Sequence, residues 1–322
     1  MATHELQTDG PHGRIQVKDA REKFTAQLFD ELWNDYRSRV SYVRNYEEVI
    51  ARHGATFVND HIAFRTFATQ DPLAGICTIS RIFEALGYEA AGCYQFPDKH
   101  LSAIHYQHSH PEFPKLFISE LRVWELSNET QGVVTSISQS HRPAIPRQIL
   151  TQLTRLQSKE LSDPVDRTLM ERLVQEFRDR PWVIPNQSDV EQVNKECQYA
   201  AWVLVHGYNV NHFTSLINSH GVSELDNIEK TVKALSGAGV PMKEDIEGQP
   251  GSKLRQTATT AVELDVPVMV NGEETTTPWT YAYFELAERG EVPDPETGTS
   301  HRFEGFLGPQ ATQLFEMTRR KK

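Results

Sequence analysis

The order of predicted secondary-structure elements repeats along this chain, and the repeat limits the possible folds more than any other feature. The first copy begins with a β-rich stretch at 55–68, followed by an apolar helical stripe at 75–87. Gly87 ends that helix, and three strand-like runs follow it. These runs lie at 89–96, 101–107 and 115–126.

A second copy follows after about eighty residues of different character. It begins with a β-rich stretch at 203–217 and continues with a predicted helix at 223–240. Two long strand-like runs then cover 256–270 and 277–289. The copies share the order of their elements more than their residues, so the sequence predicts two β-α-β-β-β units in an α+β fold.

Helices are predicted outside the two units. Apolar residues at helical spacing predict helices at 17–38 and 43–53, and the polar, proline-punctuated segment at 128–190 is also helical in pattern, as is 189–202. We therefore expect four parts that form one compact domain. They are the N-terminal helices (1–54), the first unit (55–127), a helical insert (128–200), and the second unit with the C-terminal segment (201–322).

Composition excludes several classes of partner. The net charge of −11 argues against a nucleic-acid-binding surface, which requires clustered Lys and Arg. The chain has no apolar run long enough to span a membrane, and its N-terminus lacks the apolar core of a secretory signal. Three cysteines without a CxxC pair favour a reducing compartment over a disulfide framework. We expect a cytoplasmic protein, with a plastid as the alternative, and the sequence does not predict an oligomeric state.

The opening strand of the first unit, "NDHIAFRTF", raises the question of function. Because strand residues alternate between faces, His61, Ala63 and Arg65 share one side, whereas Ile62 and Phe64 face the helix at 75–87. This face is either an ordinary solvent-exposed surface or the wall of a pocket. Arg65 could form a surface or inter-strand ion pair, or its guanidinium could hold a carboxylate of a ligand.

Two further residues could join His61 at a metal. His212 lies in the opening strand of the second unit, and Glu285 lies in that unit's last strand. If the concave sheets of the two units pair, these three side chains can meet. Two imidazoles and one carboxylate on one face leave open positions, as non-haem Fe(II) requires for O₂ chemistry. Each histidine alone is more often structural, but a carboxylate in the apolar strand around Glu285 needs a partner.

Other polar residues have simpler interpretations. His105, His108 and His110 have a metal-like spacing, although the last two are predicted to be exposed in a turn. His206 is predicted either to support the ligand residues from behind or to be structural. Two further predictions follow from local context: Ser252 and Gln256 could add polar contacts to the cavity, and Glu288 is expected to pair with Arg289 at the end of the strand.

At this point the chain resembles a known family, the 2-oxoadipate dioxygenase/decarboxylases of the vicinal oxygen chelate superfamily. The resemblance extends from the first helix to residue 317, and it is weakest over 128–190. It rests on "NDHIAFRTF", "NVNHFTSL", "YFELAERG", "GSKLRQTAT" and "GFLGPQATQLFE".

The resemblance implies an Fe(II) enzyme that converts 2-oxoadipate and O₂ to 2-hydroxyglutarate and CO₂ in lysine catabolism. It implies that His61, His212 and Glu285 hold the iron inside a curved sheet, and that Arg65 contacts a substrate carboxylate. Family members also contact substrate from the C-terminal segment, where this chain has Gln310 in place of a small hydroxyl residue.

Three other functions would suit the same residues. A glyoxalase or isomerase with Zn²⁺ or Ni²⁺ could use the same two histidines and glutamate, as could an extradiol-type ring-cleaving dioxygenase. A non-catalytic binding or scaffold protein could keep the fold without the chemistry, but it has no need of a matched metal triad and an arginine.

Overall fold

The N-terminal part of the chain forms two helices. A computed structural model describes residues 10–142, 145–294 and 297–308. Helix α1 (Ala20–Arg39) begins where the Asp19 side chain accepts a hydrogen bond from the Glu22 N–H at 2.8 Å. Helix α2 (Tyr42–His53) ends at Gly54, whose φ of 64° is a conformation that favours glycine. Both predicted N-terminal helices are confirmed.

The first predicted unit is present with all of its elements. These elements are β1 (Asn59–Gln70), β2 (Leu73–Ala74), α3 (Ile76–Ala85), β3 (Tyr88–Phe96), β4 (Leu101–His108) and β5 (Lys115–Arg122). Strand β1 and the last strand of the unit, β5, pair in parallel, whereas the other neighbouring strands of the unit are antiparallel. Helix α3 crosses between the short strand β2 and β3, as a β-α-β-β-β unit requires.

The segment between the two units is helical, as its pattern predicts. Its five helices are α4 (Asn128–Ser138), α5 (Arg147–Arg155), α6 (Arg167–Arg178), α7 (Gln187–Glu196) and α8 (Gln198–His206). Short 3₁₀ turns lie at Pro97–Lys99, Val123–Glu125, Leu156–Ser158 and Ile217–Ser219. The division of the chain into four parts at 54, 127 and 200 remains a prediction.

The strand predicted at 203–217 is wrong in its first half. Residues up to His206 belong to α8, and the strand β6 (Val210–Leu216) begins after the turn at Gly207. Every residue of α8 from Tyr199 to His206 is buried. A helix buried on all sides has no polar face, so its continuous apolar run resembles that of a buried strand.

The second unit places three of its strands in the main sheet and folds the rest into a separate hairpin. Its elements are β6, α9 (Ile228–Gly237), β7 (Leu254–Ala258), β8 (Glu263–Val270), β9 (Glu273–Thr280) and β10 (Glu285–Arg289). Strand β10 pairs in parallel with β6 and antiparallel with β7, so β6 and β10 repeat the relationship of β1 and β5. A further small hairpin, β11 (Glu291–Pro293) and β12 (Ser300–Arg302), follows β10.

The two long strands predicted at 256–270 and 277–289 are each interrupted. Strands β8 and β9 leave the main sheet and pair with each other around Asn271 and Gly272. These two residues have φ values of 53° and 83°, as the tight two-residue turn of a hairpin requires. Asn-Gly is a strong hairpin signal, but an alternating strand pattern does not show which sheet a strand joins.

A seam between β1 and β6 joins the two units into one eight-stranded sheet of order β3-β4-β5-β1-β6-β10-β7, with β2 beside β1. The seam is antiparallel and its register shifts twice. Asp60 is an extra residue on β1, since Asn59 pairs with Ser215 and His61 pairs with Thr214. Asn211 is the extra residue on β6, and each is a β-bulge.

Aromatic side chains fill the space behind this seam. Phe213 follows His212 on β6 and therefore points to the opposite face of the sheet. Its ring lies 5.1 Å from the ring of Trp33 on α1, and Trp33 also packs 4.9 Å from Phe57. The face that carries His212 is left for the site. Among the helices of the described ranges, none is both long and apolar enough to cross a membrane.

Candidate metal centre

His61, Thr214 and Glu285 lie in one row across three neighbouring strands. Thr214 on β6 pairs with His61 of β1 on one side and with Glu285 of β10 on the other. His212 is two residues from Thr214 on β6, and it therefore points to the same face of the sheet. The strand register thus brings together the three predicted ligands, two of which come from the second unit and one from the first.

The ligand atoms of these three side chains converge. His61 Nε2 lies 3.4 Å from His212 Nε2 and 3.4 Å from Glu285 Oε1, and His212 Nε2 lies 3.3 Å from Glu285 Oε2. One ligand atom from each residue lies within 4.8 Å of the others, and all three residues are buried. Within the described parts of the chain, no other group of three His, Cys, Asp or Glu residues meets this condition.

The two bulged residues fix the orientation of the histidine rings. Asp60 Oδ2 lies 2.8 Å from His61 Nδ1, and Asn211 Oδ1 lies 3.0 Å from His212 Nδ1. Each oxygen accepts the Nδ1 proton, which leaves the Nε2 lone pair facing the centre. This arrangement of an oxygen acceptor behind the ligand ring is typical of metal-binding histidines.

Burial also favours the protonation state that metal binding requires. It lowers the pKa of His61, an effect that the hydrogen bond to Asp60 partly opposes, and it lowers the pKa of His212 further. Both rings are therefore neutral at ordinary pH. Asp60 stays ionised although it is buried, because Arg289 holds the pKa of this carboxyl well below its usual range.

Glu285 tests whether a metal fits this site. Gln256 Nε2 donates a hydrogen bond to Glu285 Oε1 at 2.6 Å, whereas Oε2 is buried and accepts no hydrogen bond from any described residue. Burial raises the pKa of Glu285 well above its usual range. A buried carboxylate oxygen without a hydrogen-bond donor is costly unless a cation is beside it. The two imidazole nitrogens and this oxygen therefore fit a divalent transition metal.

A small cavity of about 30 Å³ opens beside the triad. Arg65 lies on its wall and is buried, so the alternative of a surface ion pair for this residue is ruled out. The Arg65 guanidinium stacks over the rings of Tyr199 and Trp202 at 5.0 and 5.2 Å, and it donates a hydrogen bond to the Tyr283 hydroxyl. The prediction that His61 and Arg65 face one pocket is confirmed.

The other predicted substrate contacts have different positions. Gln256 lies on the wall of the cavity, but its amide is held by Glu285, so its observed contact is to a candidate metal ligand. Ser252 is not among the residues that line the cavity, and its hydroxyl donates to the Leu254 carbonyl at 3.0 Å. Gln310 lies outside the described residues.

Three other histidines singled out from the sequence have partners within the fold and do not line the cavity. His108 was expected to be exposed in a turn, and this is wrong: it is the last residue of β4, it is buried, and its ring packs 4.8 Å from Phe113. His105 is buried on the same strand and bonds to the Tyr94 hydroxyl at 3.0 Å. His206 donates from Nε2 to the Thr280 carbonyl at 2.9 Å, in keeping with the structural interpretation.

The expected ion pair between Glu288 and Arg289 does not form. Consecutive strand residues point to opposite faces, so these two side chains cannot meet. Glu288 instead accepts from Arg255 Nη1 at 3.2 Å, across the pairing of β7 and β10. Arg289 points to the face of the metal site and binds Asp60.

Several residues of the site were not found from the sequence. Thr214 Oγ1 lies 3.0 Å from His61 Nε2, the Tyr283 ring stacks on His212 at 4.8 Å, and the Phe306 ring packs edge-on against His61 at 4.9 Å. Asp60 and Asn211 carry a readable signal, because each directly precedes a ligand histidine. Thr214, Tyr283 and Phe306 carry no such signal. They reach the site only because the strands pair in this register and because the chain returns to the cavity after β12.

Comparison with known proteins agrees with this geometry. A sequence profile of the 2-oxoadipate dioxygenase/decarboxylase family matches residues 27–297. The chain is 27% identical over 323 residues to a chloroplastic 2-oxoadipate dioxygenase/decarboxylase of Arabidopsis thaliana, covering 94% of this chain and 79% of that protein.

Two solved structures share the fold at 24% sequence identity. A putative glyoxalase superfamily protein of Ralstonia eutropha JMP134 has a TM-score of 0.76, and the match covers 90% of this chain and 87% of that one. The hydroxyglutarate synthase of Oryza sativa, solved in complex with 2-oxoadipate, has a TM-score of 0.74, with 94% of each chain covered. These likenesses confirm the predicted fold class. With the profile match over most of its length, the chain belongs to the 2-oxoadipate dioxygenase/decarboxylase family.

Proposed function

We propose that this protein is an Fe(II)-dependent dioxygenase that converts 2-oxoadipate and O₂ to 2-hydroxyglutarate and CO₂, a step of lysine catabolism. The observation that carries the proposal is the convergence of His61, His212 and Glu285 beside a buried Arg65 on one cavity. The equation balances without a second organic substrate, because both atoms of O₂ and all six carbons of the substrate are found in the two products.

His61, His212 and Glu285 would hold the metal through Nε2 of each ring and a carboxylate oxygen. The bound ion would supply a chelation site for the 2-oxo acid and activate O₂. The choice of iron rests on the donor set, since two imidazoles and one carboxylate with open positions suit Fe(II). The protein's own part is to hold the rings through Asp60 and Asn211.

Arg65 would bind the carboxylate at the far end of the substrate. His61 and Arg65 are four residues apart on β1, and their Cα atoms are about 13 Å apart in an extended strand. The residue between them on this face is Ala63, which pairs with His212 and lines the cavity. Its small side chain leaves space for a short carbon chain between the metal and the guanidinium. A fixed distance between these two groups would select the length of the diacid.

Aromatic side chains give the cavity a largely apolar wall. Phe117, Tyr283 and Phe306 form much of its wall, and each is buried. An apolar wall strengthens the attraction between Arg65 and a substrate carboxylate, because a charge pair is weakly screened away from water.

The comparisons support the same substrate class. The Arabidopsis relative is named for 2-oxoadipate, and the rice neighbour was solved with 2-oxoadipate bound. The name of the Arabidopsis protein places it in the chloroplast. A cytoplasmic or a plastid location for this chain remains a prediction.

Oxygen consumption with a series of 2-oxo acids tests the function. Purified protein loaded with Fe(II) under anaerobic conditions is mixed with 2-oxo diacids of five, six and seven carbons, and O₂, CO₂ and the organic product are measured. We expect the fastest turnover with 2-oxoadipate, with equal amounts of O₂ consumed and CO₂ released. The matched control is 2-oxohexanoate, which has the same chain length but no distal carboxylate for Arg65.

The same measurements with other substrates separate the alternative functions. Turnover of a hemithioacetal without O₂ uptake would indicate a glyoxalase, and O₂ uptake with a catechol would indicate a ring-cleaving enzyme. A protein that binds no divalent metal and consumes no O₂ would be a scaffold, and the proposal would then be wrong.

A further inference from the structure

One buried arginine connects a metal ligand to the opposite wall of the cavity. Arg289 is 2% exposed and lies at the end of β10. Its guanidinium donates from Nε and Nη2 to the two carboxylate oxygens of Asp60, at 2.6 and 2.8 Å. Its third nitrogen, Nη1, donates to the carbonyls of Phe303 and Gly305 at 3.0 and 2.8 Å. One side chain therefore holds two separate parts of the site.

The first of these parts is His61. Asp60 accepts the Nδ1 proton of this ring, and the bidentate contact with Arg289 fixes both carboxylate oxygens in place. A carboxylate held through both oxygens is a fixed acceptor, and a fixed acceptor orients the ring and strengthens it as a ligand.

The second part is the segment 303–306, which we call the C-terminal strap. The strap has no helix or strand, and side chains from the sheet hold much of its backbone. Besides the two bonds from Arg289, Gln107 Nε2 donates to the Glu304 carbonyl at 3.1 Å, and the Phe306 N–H donates to the Tyr94 hydroxyl at 3.2 Å. These bonds place the Phe306 ring over the cavity.

Phe306 lines the cavity beside His61. Its ring lies 4.9 Å from that of His61 and 5.0 Å from that of Phe117, and the Arg289 guanidinium lies 5.3 Å above it. The strap that carries this ring belongs to no strand, so side-chain hydrogen bonds, not a sheet ladder, hold this part of the wall.

We propose that Arg289 is a positioning residue that couples the orientation of His61 to the position of Phe306 on the cavity wall. The same guanidinium holds Asp60 and the strap carbonyls, so a displacement of the strap is transmitted to Asp60. The part of this inference that concerns substrate rests on the proposed function, whereas the link between the strap and metal binding does not.

Three variants separate the two sides of Arg289. Phe306→Ala removes the aromatic ring that lines the cavity beside His61. Asp60→Asn removes the negative charge behind His61. Arg289→Lys keeps the positive charge but cannot donate to both Asp60 oxygens and both strap carbonyls. Arg255→Lys is the matched control, since Arg255 is also buried and pairs Glu288 and Glu229 away from the cavity.

Two readouts do not require turnover. The affinity for Co²⁺ is measured by anaerobic titration, and amide hydrogen exchange of the strap is followed by mass spectrometry. Asp60→Asn is expected to weaken metal binding about 10- to 100-fold, the usual effect of removing such a partner. Arg289→Lys is expected both to weaken metal binding and to speed exchange in the strap. Arg255→Lys is expected to change neither, even if it lowers the melting temperature.

Kinetics with 2-oxoadipate then test the coupling. Arg289→Lys and Phe306→Ala should each raise KM, and the double variant should raise it by less than the product of the two effects, because both act on one wall. If Arg289→Lys does not fold, Asp60→Asn combined with Phe306→Ala carries the same test. Independent effects on KM, or an Arg289→Lys protein with wild-type metal affinity and strap exchange, would overturn the inference. A lack of turnover in the wild type with the metal and exchange effects intact would instead count against the proposed function.

Discussion

Asp60 and Asn211 are the two bulged residues of the seam, and each directly precedes a histidine of the candidate metal centre. Their side-chain oxygens lie 2.8 and 3.0 Å from Nδ1 of His61 and His212. In a regular strand, consecutive side chains point to opposite faces, so a residue cannot support its own neighbour. The extra residue of a bulge removes this restriction by changing the local direction of the strand. The two bulges, one in each unit, thus let Asp60 and Asn211 orient the two histidines.

This relationship predicts the effect of removing one support. Asn211→Ala leaves the His212 Nδ1 proton without its acceptor, so the ring is no longer held with Nε2 toward the metal. We expect metal affinity to fall about 10- to 100-fold. Anaerobic titration with Co²⁺ measures the effect, and Asn209→Ala, two residues away and bonded to Arg178, is the control. Equal metal affinity in both variants would show that Asn211 does not orient the ring.

Glu285→Gln is expected to have opposite effects on metal binding and on the stability of the metal-free protein. Loss of the carboxylate removes one ligand charge, so metal binding should be abolished. The metal-free protein should melt at a higher temperature than wild type, because a buried carboxylate with an unsatisfied oxygen is replaced by a neutral amide of the same shape. Thermal melts with chelator and with added metal measure both effects. A lower melting temperature in the presence of chelator would mean that Glu285 stabilises the fold without a metal.

Arg65→Lys tests the substrate clamp. Lysine keeps the charge but lacks the planar fork that binds a carboxylate through two parallel bonds. We expect KM for 2-oxoadipate to rise by about tenfold or more, the equivalent of losing roughly 1.4 kcal/mol of binding, with metal content unchanged. Arg39→Lys is the control, since Arg39 also stacks on an aromatic ring, that of Tyr281, but does not line the cavity. A wild-type KM in Arg65→Lys would remove the clamp role.

The buried ring of His206 is expected to lower the stability of the fold as the pH falls. Burial lowers the pKa of this ring from 6.5 to about 3. Above pH 6.5 the ring is neutral in both the folded and the unfolded chain, so it has no effect on stability there. Below pH 6.5 only the unfolded chain takes up the proton, and stability falls as the pH falls toward 3, by about 1.4 kcal/mol for each pH unit.

His206→Gln keeps a side-chain N–H for the Thr280 carbonyl and removes this titration. Between pH 7.5 and 5.5 the variant should lose about 1.4 kcal/mol less unfolding free energy than wild type, as measured by urea denaturation at each pH. His301→Gln, which removes an exposed histidine, is the control. The same loss in His206→Gln and wild type would exclude a contribution from His206.

The sequence predicts which face of β1 carries His61 and Arg65, because the two-residue period of a strand does not depend on distant parts of the chain. It also names the three side chains that converge in the structure. The meeting of His61 with His212 followed from the repeated order of elements and from the family resemblance. The order of the strands in the sheet depends on packing throughout the core, and the composition of the chain does not show this order.

The errors have physical reasons as well. The end of α8, residues 203–206, is predicted as strand because burial on every side removes the polar face that marks a helix. Arg289 was assigned to a neighbour in sequence, whereas its partner Asp60 lies 229 positions away. Phe306 could not be found for the same reason, since it reaches His61 only when the chain returns to the cavity after β12. Long-range contacts of this kind need the folded backbone.

The seam between β1 and β6 has a consequence for how the protein matures. His61 belongs to the first half of the chain, and His212 and Glu285 belong to the second, so neither half alone offers three ligands. An ion held by all three side chains would therefore bind only after both halves have folded and docked. Bound there, it would link the two halves across the seam, and metal affinity would report whether the whole chain is assembled.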